Sequence, residues 1–199
     1  MPIKIPSDLP AKAVLERENI FVMAEDRAVS QDIRPMRIAM VNLMPTKITT
    51  ETQLLRLLGN SPLQVDVVFV KTETYEPTNV PAEHLKRFYV PFSQIKNQRF
   101  DGIIITGAPV ENMPFEDVDY WGELKEIIDF SYRQVYASLY ICWGAQAALY
   151  HRYGVPKHSL SQKISGIFLH RLNGKRDILF RGFDDKFYVP HSRYTEVRH

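Results

Sequence analysis

The run Gly102-Ile-Ile-Ile-Thr106 constrains the fold more than any other stretch of these 199 residues. Successive side chains on a strand alternate between faces, so three consecutive isoleucines make both faces apolar. A strand of that kind needs cover on two sides, which a parallel sheet flanked by helices provides. Neighbouring segments agree. Met36–Leu43, Val65–Val70 and Ala137–Ile141 read as further strands. Helical spacing separates them at Thr50–Leu58, Tyr120–Arg133 and Ala145–Tyr153, with a short helix expected within Pro81–Val90. Strands alternating with helices predict an α/β protein with a mostly parallel sheet and helices on both faces.

Residues 1–35 read as an N-terminal extension with a short helix and an extended piece, and residues 36–199 as the domain itself. From Ser165 to Tyr188 the pattern shifts to shorter β-like pieces, SGIFLHRL and RDILFRG, and then the polar loop GFDDKFYVPHSRY, a hairpin or a mixed edge of the sheet. The chain is long enough for one sizeable core. With 25 Lys and Arg against 23 Asp and Glu, no basic surface for nucleic acid is expected. The opening MPIKIPSDLP lacks the apolar core of a signal peptide, and no apolar run approaches the roughly 20 residues of a membrane span. A single cysteine makes neither an internal disulfide nor a thiolate metal cage, which points to a reducing cytoplasm. No His, Asp or Glu spacing suggests a metal.

In an open α/β sheet, ligands sit beyond the C-terminal ends of the strands, near a topological switch point. That rule selects three loops: Met44–Thr50, Gly107–Phe115 and Cys142–Gln146. Cys142 lies where a predicted strand meets a predicted helix, the setting of a nucleophile elbow. The helix N-terminus behind it favours thiolate over thiol. The backbone N–H of Trp143 is a candidate oxyanion donor, and Gly107, in Thr106-Gly107-Ala108-Pro109, a candidate for the second. The competing reading is a small buried cysteine at a strand end, since free cysteine is among the most buried residue types.

These residues carry a resemblance. ICWGAQ resembles the nucleophile turn of class I glutamine amidotransferases, with Tyr140 in place of that turn's first glycine. Over nearly the whole chain the sequence is similar to the homoserine O-acyltransferases of the methionine pathway, on the stretches ENIFVM, NLMPTKITTETQLLRLLGNSPLQVD, PAEHLKRFY, FDGIIITGAPVE, YICWGAQAALYHRYGVPK and RGFDDKFYVPHSRY. The resemblance implies a class I glutamine amidotransferase-like (flavodoxin-like) fold and a two-step acyl transfer. Cys142 takes an acyl group from an acyl-CoA and passes it to the hydroxyl of L-homoserine. It further implies an active-site role for Lys47 and substrate contacts at Lys163 and Ser192. Arg193, next to Ser192, is a candidate partner for the substrate carboxylate on the chemistry of its guanidinium. Glu111 occupies the position where family members with glycine tend to use succinyl-CoA and those with glutamate acetyl-CoA, so acetyl-CoA is the expected co-substrate. No permanently bound cofactor is implied, and homodimers are common in the family.

One family feature is missing. The histidine and glutamate spaced His-x-Glu, base and orienting carboxylate to the cysteine, have no counterpart here. None of His84, His151, His158, His170, His191 and His199 has an acid two positions on. His191 falls in the PHSRY motif and is expected in a structural loop. The expectation is a C-terminally incomplete enzyme. Its rivals are a homoserine O-succinyltransferase, a glutaminase, and an inactive chain that binds ligand without turnover.

Overall fold

The computed structural model describes residues 3–24, 34–75, 80–172 and 178–198. Its strands are β1 (Ile3–Ile5), β2 (Val22–Ala24), β3 (Met36–Val41), β4 (Val65–Lys71), β5 (Tyr89–Pro91), β6 (Phe100–Ile105), β7 (Val135–Tyr140), β8 (Lys157–Arg171) and β9 (Lys186–Val197). The helices are α1 (Pro10–Arg17), α2 (Lys47–Gly59), α3 (Ala82–Phe88), α4 (Phe92–Ile95), α5 (Trp121–Arg133) and α6 (Trp143–Tyr153).

Among the described residues, seven strands form one sheet in the order β2-β1-β4-β3-β6-β7, with β5 also on β4. Every described pairing in that sheet is parallel. Its two faces follow from the pleat. Ala39, Val41, Ile103 and Ile105 join a core with Leu124, Ile127 and Ile128 of α5 and Trp143, Ala147 and Ala148 of α6. Ile38, Met40 and Ile104 face the other way, onto Ala11 and Leu15 of α1, Leu55 of α2 and Leu85 of α3. The isoleucine run of β6 is thus buried on both faces between two helical layers, as its unbroken apolarity predicts.

Two segments differ from expectation. The stretch expected as an extension enters the sheet: β1 pairs with β4 and β2 with β1, and Ile3, Ile5 and Leu15 are buried. Residues 25–33 of that stretch lie outside the described residues. The expected polar loop through Tyr194 is largely the strand β9, antiparallel to β8. Asp184-Asp185 and Pro190 look like loop signals, yet Pro190 pairs with Ile167 in a two-stranded ribbon, where a missing ladder donor is tolerated. Of the β-like pieces before it, Ser165–Arg171 belongs to β8, Ile178–Phe180 is a 3-10 turn, and 173–177 lie outside the described residues.

From β3 the chain crosses to β4 on one side, and from β6 to β7 on the other, so the strand order reverses between β3 and β6. The loops leaving those two strands, and the turn after β7, converge on one edge.

Candidate active site

Cys142 links β7 to α6 with φ 54° and ψ −121°. A non-glycine residue costs on the order of 1–3 kcal/mol there, and such conformations persist only where the surroundings impose them. Two glycines show what imposes this one. A Cβ on Gly144 would lie 2.5 Å from the Thr106 carbonyl oxygen and 3.1 Å from that of Ile105, so α6 starts in backbone contact with the end of β6. A Cβ on Gly107 would lie 3.0 Å from the Cys142 Cβ and 3.5 Å from its Sγ. The sulfur therefore stands against bare Gly107 backbone.

Cys142 is exposed, so the reading of a buried filler cysteine does not apply. Its carbonyl accepts the N–H groups of Ala145 (3.0 Å) and Gln146 (3.2 Å), while Gly144 N–H donates to the Ile141 carbonyl (3.0 Å). Those bonds engage three N–H groups of the first helical turn and leave that of Trp143 outside the set. The indole of Trp143 is buried and anchors the helix start in the core.

The thiol opens onto a cavity of about 560 Å³. Of the residues singled out in the sequence, Cys142, Gly107, Glu111, Ser192 and Arg193 all line it. The β9 end contributes the last two, and its Thr195 hydroxyl donates to the Gln146 side-chain oxygen at 3.1 Å, fastening the ribbon to α6. Arg193 Nε is buried without a protein hydrogen-bond partner. A buried donor left unpaired is costly.

Lys47 and Lys163 lie elsewhere. Lys163 sits beside the cavity rather than in its wall, its Nζ 5.4 Å from the ring centroid of the cavity-lining Tyr194. Lys47 opens α2, but its ammonium turns inward and donates to the Asn42 carbonyl. It lines a smaller neighbouring cavity of about 250 Å³, which shares Met44 and Pro109 with the first. Burial pushes the Lys47 ammonium down to about 8, opposed by the nearby Glu51 charge.

That shift has a consequence for stability. The unfolded chain holds this proton up to about 10.5, the folded chain only to about 8, so between those values the unfolded state binds more protons. Stability contributed by this residue therefore rises with pH through the window, and its penalty is full below it. Lys47→Met should flatten the rise in urea midpoint between pH 8 and 10; an unaltered slope would show that another group sets it.

Sequence reasoning missed two features. Thr106 Oγ1 accepts the Leu43 N–H (2.8 Å) and donates to the Gly107 carbonyl (3.0 Å), coupling the loops after β3 and β6. Its only signal was its place before Gly107. The other is a buried polar cluster behind Lys47: Glu51 accepts from the Tyr89 hydroxyl (2.5 Å) and meets His84 Nε2 at 3.1 Å. These residues come from three separate elements, and no local spacing betrays them. His191, expected in a loop, is in β9 beside His170 (Nε2 to Nε2 2.8 Å). Among the described residues no histidine lines the cysteine cavity, no group of His, Cys, Asp and Glu could hold a metal, and no helix is long and apolar enough to cross a membrane.

A family model described as homoserine O-succinyltransferase matches residues 2–199. Among relatives, a protein from Desulfovibrio desulfuricans named homoserine O-acetyltransferase is 67% identical over 198 residues, covering all of this chain and 63% of that protein. Proteins of the same name from Acetivibrio thermocellus and Clostridium acetobutylicum are 61% and 59% identical over 198 residues, again covering all of this chain, and 65% and 66% of theirs. The chain thus spans just under two thirds of the length of these relatives.

Proposed function

The chain belongs to the homoserine O-succinyltransferase family, and from that premise we propose that it moves an acetyl group from acetyl-CoA, through a thioester on Cys142, to the hydroxyl of L-homoserine. The product is O-acetyl-L-homoserine, and the setting is methionine biosynthesis in the cytoplasm. One observation carries this reading: an exposed thiol, held at an unfavourable φ on a helix N-terminus, opens onto a cavity walled by Gly107, Glu111, Ser192 and Arg193. The sharp turn after β7 and the reversal between β3 and β6 support a class I glutamine amidotransferase-like arrangement. The acyltransferase domain takes in β1, α1 and β2, whose side chains enter its sheet and core, and the protein acts as a homodimer.

In the first step the Cys142 sulfur attacks the thioester carbon, and the bond to the CoA sulfur breaks. The proton that Cys142 gives up on attack goes to the departing sulfur, so CoA leaves as a thiol. Exchange of one thioester for another is nearly isoenergetic, which suits a cysteine relay. The Trp143 and Gly107 N–H groups receive the charge on the carbonyl oxygen. In the second step the homoserine oxygen attacks the same carbon, the bond to Cys142 breaks, and the hydroxyl proton ends on the sulfur. Arg193 pairs with the homoserine carboxylate and Ser192 bonds its polar groups, so that a held hydroxyl competes with water. Lys163 reaches the amino acid from the Tyr194 side. Lys163→Ala should raise KM for homoserine with kcat little changed, and unchanged kinetics would remove it from the site. Lys47 supports the loop after β3 from within.

Glu111 disfavours a succinyl donor, because its carboxylate fills volume and repels the distal carboxylate. Two like charges about 4 Å apart interact by roughly 4 kcal/mol at an effective dielectric near 20, whereas tenfold discrimination needs only about 1.4 kcal/mol.

A second reading is ligand binding without turnover, favoured by the lack of any described histidine on the cavity. The deciding assay follows release of CoA thiol from acetyl-CoA, with and without homoserine. Homoserine-dependent release supports the transferase. Binding of acetyl-CoA without release supports the second reading, and ammonia from glutamine would replace both with a glutaminase.

A further inference from the structure

The loop between β6 and α5 carries Pro109 and Glu111 into the cysteine cavity. At its start, Gly107 lies against Cys142. At its far end, Phe115 is buried and stacked on Tyr150, with ring centroids 4.7 Å apart, and on Trp121 at 5.3 Å. Between these anchors Ala108 and Val110 pack against the core, and the backbone beyond them is held by a side chain of β8. Lys157, the first residue of β8, donates from Nζ to the Glu111 carbonyl at 2.6 Å and to the Met113 carbonyl at 2.5 Å, and lies 4.6 Å from the Phe115 ring centroid.

Those contacts differ from a surface lysine's usual company. Its donors go to two main-chain carbonyls, so what it fixes is the path of the backbone from Glu111 to Met113. Lys157 also pairs in register with Val197, which lines the same cavity. Two residues on, Ser159 pairs with Thr195, whose hydroxyl reaches Gln146 of α6. One ammonium therefore ties the loop bearing Glu111 to the β-ribbon bearing Ser192 and Arg193. Its partial burial lowers the ammonium's proton affinity, while the Glu111 and Glu116 carboxylates act the other way.

We propose that Lys157 is a positioning residue for acyl-donor choice: by clamping the Glu111 and Met113 carbonyls it holds the Glu111 side chain at the acyl end of the cavity. This rests on the acyltransferase reading and on the role of Glu111 given above. Glu111 excludes a dicarboxylic acyl group only while its carboxylate stays near the acyl terminus, and Coulomb repulsion weakens with every ångström that the loop relaxes. Lys157 itself touches no substrate.

The test measures binding of acetyl-CoA and succinyl-CoA by calorimetry in a Cys142→Ala background, where no acyl group moves. Glu111→Gly, Lys157→Met and Lys157→Arg are added in turn. Lys157→Met keeps the stem over Phe115 and removes the donors, so it should shrink the succinyl-to-acetyl Kd ratio by at least about tenfold, in the direction of Glu111→Gly. Lys157→Arg should restore most of the discrimination, because a guanidinium can still reach both carbonyls. A lysine that merely stabilises the fold would weaken both donors alike and leave the ratio unchanged. If Glu111→Gly shifts the ratio and a folded Lys157→Met does not, the assignment of Lys157 is overturned while the Glu111 role stands. If Glu111→Gly leaves the ratio unchanged, the Glu111 role falls and takes this inference with it. If neither donor binds, the acyltransferase reading itself has failed. Should Lys157→Met not fold, Lys157→Gln replaces it, with a smaller change of the same sign expected and no change counting against the assignment.

Discussion

Cys142→Ala should abolish homoserine acetylation, lowering kcat/KM by at least about 10³-fold, because loss of a covalent nucleophile costs up to about 10⁶ in enzymes whose mechanism depends on one. Without the sulfur, the homoserine hydroxyl must attack the CoA thioester directly. Binding and oxyanion donors alone then supply the residual rate. Fold should be unaffected, because alanine meets the same backbone demand at φ 54°. Steady-state kinetics and a melting curve on the same preparation check both halves. Activity within tenfold of the parent protein would show that the cysteine is not the acyl carrier.

The second large effect concerns Gly144. A methyl group there would stand 2.5 Å from the Thr106 oxygen and 3.3 Å from its carbonyl carbon, all of it backbone that cannot swing aside. The start of α6 must back away from β6. Overpacking of this kind costs about 1–3 kcal/mol, and at roughly 2–4 °C per kcal/mol for a chain of this size Gly144→Ala should lower Tm by about 2–12 °C. Because Cys142 is the residue on which α6 begins, the sulfur moves too, and activity should fall by about 10²-fold, the cost of an ångström's misplacement. Gly107→Ala is the informative contrast. Its added methyl meets the Cys142 side chain at 3.0 Å, so activity should fall with Tm little changed. A Tm for Gly144→Ala within about 1 °C of the parent would mean that α6 has room that this packing denies it.

Much of this was legible in the sequence for identifiable reasons. The isoleucines of β6 admit only a doubly covered strand, and the switch from apolar run to helical spacing at Cys142 fixes a turn between two regular elements. What escaped depended on contacts distant in sequence. β1 and β2 are three residues each, too short to show a period, and become strands because β4 offers an edge to β1 and β1 one to β2. β9 was hidden by Pro190 and the paired aspartates, although Phe187, Val189, His191, Arg193 and Thr195 keep the two-residue alternation. Within the site, Glu111, Ser192 and Arg193 fall together around the thiol. Lys47, equally prominent in its motif, turns into the interior, because its neighbours on α2 bury Glu51 and Leu55 on that same helix face. Lys157 carried no signal, since its partners are carbonyls in a loop more than forty residues away.

Whether Cys142 carries the acyl group is read most directly from the intact mass of the 199-residue protein after brief mixing with acetyl-CoA in the absence of homoserine. A gain of one acetyl group is expected, absent in Cys142→Ala and discharged when L-homoserine is added. No gain, or a gain that survives Cys142→Ala, would contradict that role for Cys142.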